Sequence, residues 1–159
     1  IKGQESQDAL WKAIKNGSID TVATDHCPFQ SYEKDWGRDD FTKIPNGCSG
    51  IENLYPYMLD AANSGKISFS RAVELCSTNP AKIFGCDQKG SIAVGKDADI
   101  VIYDKDKDFT ISVDTMHSDC DHTIWEGKKR TDTLYVLSSA EMSSMQTENS
   151  RELLAWVSL

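Results

Sequence analysis

The chain is poor in the residues that metal frameworks and disulfide scaffolds need. It has three histidines in 159 residues and no His-x-His pair. Its five cysteines, Cys27, Cys48, Cys76, Cys86 and Cys120, are odd in number, and none forms a Cys-x-x-Cys pair. A zinc ribbon is therefore disfavoured, and free thiols in a reducing cytoplasm are expected. Cys120 and His122 stand two apart, too sparse a pairing for a metal site and read as a coincidence in a loop. No apolar run approaches the roughly 20 residues that cross a bilayer, and the opening IKGQESQDAL has no signal-peptide pattern. Positive charge is also short: 17 Lys and Arg against 25 Asp and Glu leave a formal charge of -8. That balance argues against nucleic acid and anionic membranes as partners. Glycine stops at Gly127 and proline at Pro80, so the last 32 residues lack both turn formers.

What is present reads as an α/β chain. Apolar content of 39% and this length suffice for one domain with a core. Ser6 can cap a helix running to about Asn16, with Leu10, Trp11 and Ile14 on one face and Gly17 as its stop. A strand is expected over Ile19–Thr24. A long polar stretch from Pro28 to Gly50 follows, longer than an ordinary connection and so either a functional loop or a stretch with structure of its own that the pattern does not reveal. Helices are expected over about Ile51–Asn63 and Ser70–Phe84, the second starting after Ser68 and interrupted near Asn79-Pro80. After Gly85 the texture becomes short β-rich runs with Gly and Asp turns, in GSIAVGKDADIVIYDKDKDFTISVDT and HTIWEGKK. The organisation is thus three parts: 1–84, a β module over 85–130, and a divergent tail over 131–159. The chain begins at Ile1 without Met, in a helix approach, which gives the expectation of a fragment.

The stretch TVATDHCPF carries the chemistry. A hydrophobic strand runs into Asp25, His26 and Cys27, closed by Pro28. In parallel α/β barrels functional side chains stand at the C-terminal ends of strands. A carboxylate at that point can ligate a divalent ion and take a proton from water. Asp25 can equally cap a turn. His26 can be a ligand, a support for a ligand or a packed side chain, and Cys27 reads as a small buried filler. Pro45-Asn46-Gly47 is a strong turn signal, with or without a further role.

Four segments, DTVATDHCPF, GRDDFTKIPNGCSGIE, STNPAKIFG and KGSIAVGKDADIVIYD, together resemble the C-terminal part of the dihydropyrimidinase/D-hydantoinase family of cyclic amidohydrolases. The resemblance runs from about Gln4 to Lys129, with its pieces in the family's order. It implies the end of a metal-dependent (β/α)8 TIM barrel, followed by strands of a small β-sandwich built from both chain ends. It also implies a binuclear zinc (Zn2+) centre with a carboxylated lysine, acting on the ring amide of dihydropyrimidines or hydantoins. By the resemblance, TDHCP ends barrel strand eight, Asp25 is the last metal ligand and the proton acceptor, and Asn46 with Gly47 contacts the substrate, Asn46 largely through its backbone. A small-molecule cyclic amide, a homotetramer and a cytoplasmic location follow as expectations.

The departures are as informative. The family's paired histidines, its lysine and its two later histidines have no counterpart in these residues, so this chain cannot assemble the binuclear site. One or two strands of eight leave an open barrel edge, and the isolated chain is expected to be inactive and poorly folded. The tail lacks the glycine-rich strands the family would carry, and a slip of one or two bases near codon 130 accounts for it. Trp156 followed by Val157 would then encode a glycine in the shifted frame. The competing reading is a genuine C-terminal helix, with Leu153, Leu154 and Val157 at helical spacing. The rival functions are a non-catalytic scaffold homologue, disfavoured by the presence of Asp25, and a sister enzyme such as allantoinase or dihydroorotase, disfavoured by the FTKIPNG loop.

Overall fold

The computed structural model describes the backbone of residues 2–137 and 154–156, and side chains through residue 130. Helix α1 spans Gln4–Lys15 with Gly3 at its N-cap position, three residues before the expected Ser6. Gly17 ends it at φ 83°, and the amides of Gly17 and Ser18 turn back onto the carbonyls of Ile14 and Ala13. Glycine suits that left-handed position because it has no Cβ to clash. The expected apolar face divides in use. Ile14 is buried, Trp11 packs partly against the core, and Leu10 stays exposed.

Residues 19–24 have no regular secondary structure and join no strand ladder, which corrects the expected strand. A barrel strand draws its backbone hydrogen bonds from neighbours on both sides, and no strand lies beside it among the described residues. Helix groups hold it instead. The Val22 amide donates to the Leu75 carbonyl at 3.4 Å, Asn79 Nδ2 donates to the Asp20 carbonyl at 2.8 Å, and the Arg71 guanidinium donates to the carbonyls of Ile14 and Ile19.

The polar stretch 28–50 is more ordered than a bare loop. It contains the short helix α2 (Ser31–Lys34) and 3-10 turns over Asp35–Gly37 and Phe41–Lys43. Helix α3 spans Ile51–Asn63 and buries Met58, Leu59, Ala61 and Ala62. The expected third helix is one continuous run with a local fault. Helix α4 (Phe69–Val73) is capped by Ser68, whose hydroxyl accepts from the Arg71 amide at 3.1 Å. A π turn over Glu74–Thr78 follows, and then α5, Asn79–Ile83. The widened turn lies directly before Pro80, whose ring would crowd the carbonyl four residues back in a regular helix. Met58, Ala72 and Leu75 are at most 1% exposed and form the centre of the core. Burial there pushes the Cys76 thiol up to about 12.

The β module is sparser than expected. GSIAVG forms turns, not strands, and Val94 lies fully exposed. Strand β1 begins at Ile100 and runs to Thr110. ISVDT gives a 3-10 turn, and IWEG gives turns before strand β2 (Lys129–Leu137). Strand β3, Leu154–Trp156, pairs with β1 where the tail's helical spacing predicts a helix. The rest of that expected helix, and most of the tail, lies outside the described residues. The sheet order is β2-β1-β3, all antiparallel. The pairing slips between Asp104 and Asp108, where a charged run bulges. Tyr103 joins the two layers, being 3% exposed with its ring centroid 5.6 Å from that of Phe69.

Candidate functional site

The segment over 19–24 leads into a residue of unusual backbone conformation. Asp25 has φ 48°, and is the non-glycine residue with positive φ among those described. Aspartate tolerates this region better than most residues, yet such conformations still cost on the order of 1–3 kcal/mol and persist where their surroundings impose them. Here the surroundings are explicit. The next amide, His26 N, donates to Thr24 Oγ1 at 3.2 Å, and Cys27 N donates to the Cys48 carbonyl at 3.1 Å. His26 Nδ1 accepts from the amides of Gly50 at 3.0 Å and Ile51 at 3.2 Å. His26 and Cys48 form an isolated parallel bridge.

His26 therefore caps helix α3. Gly50, at the N-cap position, has no side-chain oxygen to satisfy the first free amides of the helix. An imidazole nitrogen from 24 residues earlier does so, which places the ring proton on Nε2. Of the three roles open for His26 in the sequence, its Nδ1 is committed to a supporting one. Cys27 is exposed, which corrects its reading as buried filler. Val22 is the last residue of this segment packed against the core, and the three residues after Thr24 sit at a loop neck.

The other side of the neck is Pro45-Asn46-Gly47. Gly47 has φ 123°, and a Cβ there would lie 2.5 Å from Cys27 Cβ and 2.6 Å from the Cys27 carbonyl oxygen. Both the backbone angle and the close approach demand glycine. Lys34 Nζ donates to the carbonyls of Pro45 and Gly47, and lies 4.8 Å from the centroid of the Phe29 ring. Asn46 is exposed beside this anchored backbone. Asp25 and Gly47 thus lie on opposite sides of one narrow neck, with Gly47 against Cys27. Lys34 gave no signal in the sequence, being one lysine among many. The cap at His26 was equally hidden, because its partners are distant in sequence.

Asp25 has an exposed carboxylate, with no hydrogen bond or ion pair to it among the described residues. It fits the role of one oxygen ligand for a divalent ion. The three-donor grouping among the described residues lies elsewhere. Cys120, Asp121 and His122 hold ligand atoms within 4.8 Å of one another. These groups already have protein partners. The Asp121 carboxylate accepts from Ser31 N at 2.9 Å and contacts His122 Nδ1 at 2.9 Å, and Cys120 Sγ donates to the Phe29 carbonyl at 3.2 Å. Gln30 completes the clamp, with Nε2 donating to the Asp119 carbonyl at 2.7 Å and Oε1 accepting from Asp121 N at 2.9 Å. The hydrogen bond with His122, together with the Ser31 amide, holds Asp121 below the usual carboxylate range. This cluster fastens the base of the 28–50 stretch to the β module.

Beside the neck runs a groove of about 350 Å³, lined by Trp11, Ile14, Val22, Leu54, Met58 and Trp125 among others. Asp25, Asn46 and Gly47 do not line it. Two buried donors at this wall, Asn53 Nδ2 and Trp125 Nε1, have no hydrogen-bond partner among the described residues.

Residues 2–135 match the amidohydrolase family profile. The chain belongs to the amidohydrolase family. It is 44% identical over 131 residues to a D-hydantoinase of Ralstonia pickettii, an alignment covering 80% of this chain and 28% of that protein. It is 39% identical over 127 residues to a dihydroorotase of Halobacterium salinarum, covering 80% of this chain and 29% of that one. The crystal structure of a dihydropyrimidinase from Brevibacillus agri superposes with a TM-score of 0.84 at 46% identity, covering 87% of this chain and 31% of that chain. This amidohydrolase chain therefore spans under a third of the length of these relatives. No helix among the described residues is long and apolar enough to cross a membrane.

Proposed function

We propose that this amidohydrolase chain is the C-terminal part of a zinc-dependent enzyme that opens the ring amide of dihydropyrimidines or hydantoins to N-carbamoyl amino acids. The observation that carries the reading is Asp25: an exposed carboxylate on a strained backbone, directly after the segment over 19–24 and at the neck of the Pro45-Asn46-Gly47 turn. Asp25 would be one metal ligand, its partners lying beyond these residues. Zinc, when bound, acidifies water and polarises the ring carbonyl. Asp25 would take the proton from the attacking water and return it to the departing ring nitrogen, leaving a carboxylate and an N-carbamoyl amine. Backbone groups at Asn46 and Gly47 would hold the ring amide, on a turn already fixed by Lys34.

The division into a barrel end over 1–84, sandwich strands over 85–130 and a divergent, frame-shifted tail over 131–159 belongs to the same proposal. The end of the family match at residue 135 supports the last part. So does an isolated chain that is inactive and poorly folded, supported by the open apolar groove and its two unpartnered donors. A cytoplasmic homotetramer completes the reading. The likeness to a dihydroorotase keeps a sister activity as the second reading. The test is turnover by the full-length protein. Hydrolysis of hydantoin and dihydrouracil that a chelator abolishes and zinc restores is expected. Turnover of dihydroorotate alone supports the sister enzyme, and metal-loaded protein inert toward all three supports a scaffold.

A further inference from the structure

We infer that His26 is a positioning residue, whose imidazole fixes the conformation of Asp25 by fastening the loop neck to the N-terminus of α3. The inference rests on the functional reading of Asp25 and deepens it. Its geometry stands on the page. Asp25 is the residue whose backbone is forced to positive φ, and the residues on either side are both tied down. Thr24 Oγ1 takes the His26 amide, and His26 Nδ1 takes the amides of Gly50, the N-cap of α3, at 3.0 Å and Ile51, its first residue, at 3.2 Å. A helix is a rigid reference, and α3 is anchored by Met58 and Leu59 in the core. His26 thereby transmits the position of the core to the carboxylate beside it. The same bonds close the neck against Cys48–Gly50, the segment that continues from Asn46 and Gly47. One side chain thus sets both the proposed ligand and the proposed substrate turn.

The required chemistry is an acceptor at the Nδ1 position, which gives a sharp set of variants. Asparagine carries Oδ1 as many bonds from Cβ as histidine carries Nδ1, whereas the oxygen of glutamine lies one bond further out. The variants His26→Asn, His26→Gln and His26→Ala are made in the full-length protein. The readouts are thermal midpoint, zinc affinity, the kcat and KM for the ring amide, and the residue-25 backbone in crystals. Loss of a residue that orients a metal ligand typically costs about 10- to 100-fold in affinity or activity. His26→Ala is expected to lose zinc affinity and kcat on that scale, with residue 25 relaxed to negative φ. His26→Asn is expected to recover both, and His26→Gln to fail. An alanine variant that keeps positive φ and zinc affinity overturns the inference, as does an asparagine variant no better than glutamine. If His26→Ala does not fold, the Asn–Gln contrast decides. If the wild-type protein turns over no ring amide, the functional reading falls, while the residue-25 backbone in the variants still decides the role of His26.

Discussion

The helical layer and the loop neck are built by opposite means. In the layer of α3 and α4, stability comes from area: Met58, Ala72 and Leu75 are almost wholly removed from water, and any well-packed apolar set of similar volume would serve. At the neck there is little apolar burial. Asp25, Cys27, Asn46 and Gly47 are all exposed, and shape comes from two unusual backbone angles and a few directed hydrogen bonds. A tolerant support therefore carries an intolerant site. The scaffold can absorb sequence change in many ways, while the neck depends on particular atoms at Gly47, His26 and Thr24.

That contrast can be broken from either side. The largest effect is expected in the layer: Leu75→Ala in the full-length protein removes about 2–5 kcal/mol of unfolding free energy, measured by urea denaturation. KM should stay near the wild-type value in the surviving folded fraction. Gly47→Ala is expected to act the other way round. Its Cβ must fit against Cys27 at φ 123°, where the backbone angle alone costs about 1–3 kcal/mol and the overlap with the Cys27 carbonyl adds to it. Its main consequence should be a raised KM for the ring amide. A Gly47→Ala enzyme with unchanged KM would show that the turn is only a turn.

The layer was legible in the sequence and the neck only partly so. The helices over Ile51–Asn63 and after Ser68 could be read from apolar spacing and a cap, because a helix satisfies its own backbone bonds. Strands cannot do so. Ile19–Thr24 and GSIAVG have strand composition, yet both lie without a ladder, since a strand's partners are elsewhere in the sequence. The run into Asp25 and the Pro45-Asn46-Gly47 turn stood out as unusual local chemistry. Their meeting did not, because it depends on contacts such as His26 with Gly50 and Gly47 with Cys27. Cys27 was misread for a related reason: an apolar run before it says nothing about where the chain leaves the core.

The most direct measurement is of zinc content and turnover in the full-length Asp25→Asn protein, beside wild type at the same purity. The isosteric amide keeps the shape and removes the charge and the proton acceptor. Loss of bound zinc, with kcat/KM for hydantoin or dihydrouracil reduced by at least about 100-fold, is the predicted result. A folded Asp25→Asn protein that holds its zinc and turns over at the wild-type rate would contradict the assignment of Asp25 as ligand and base.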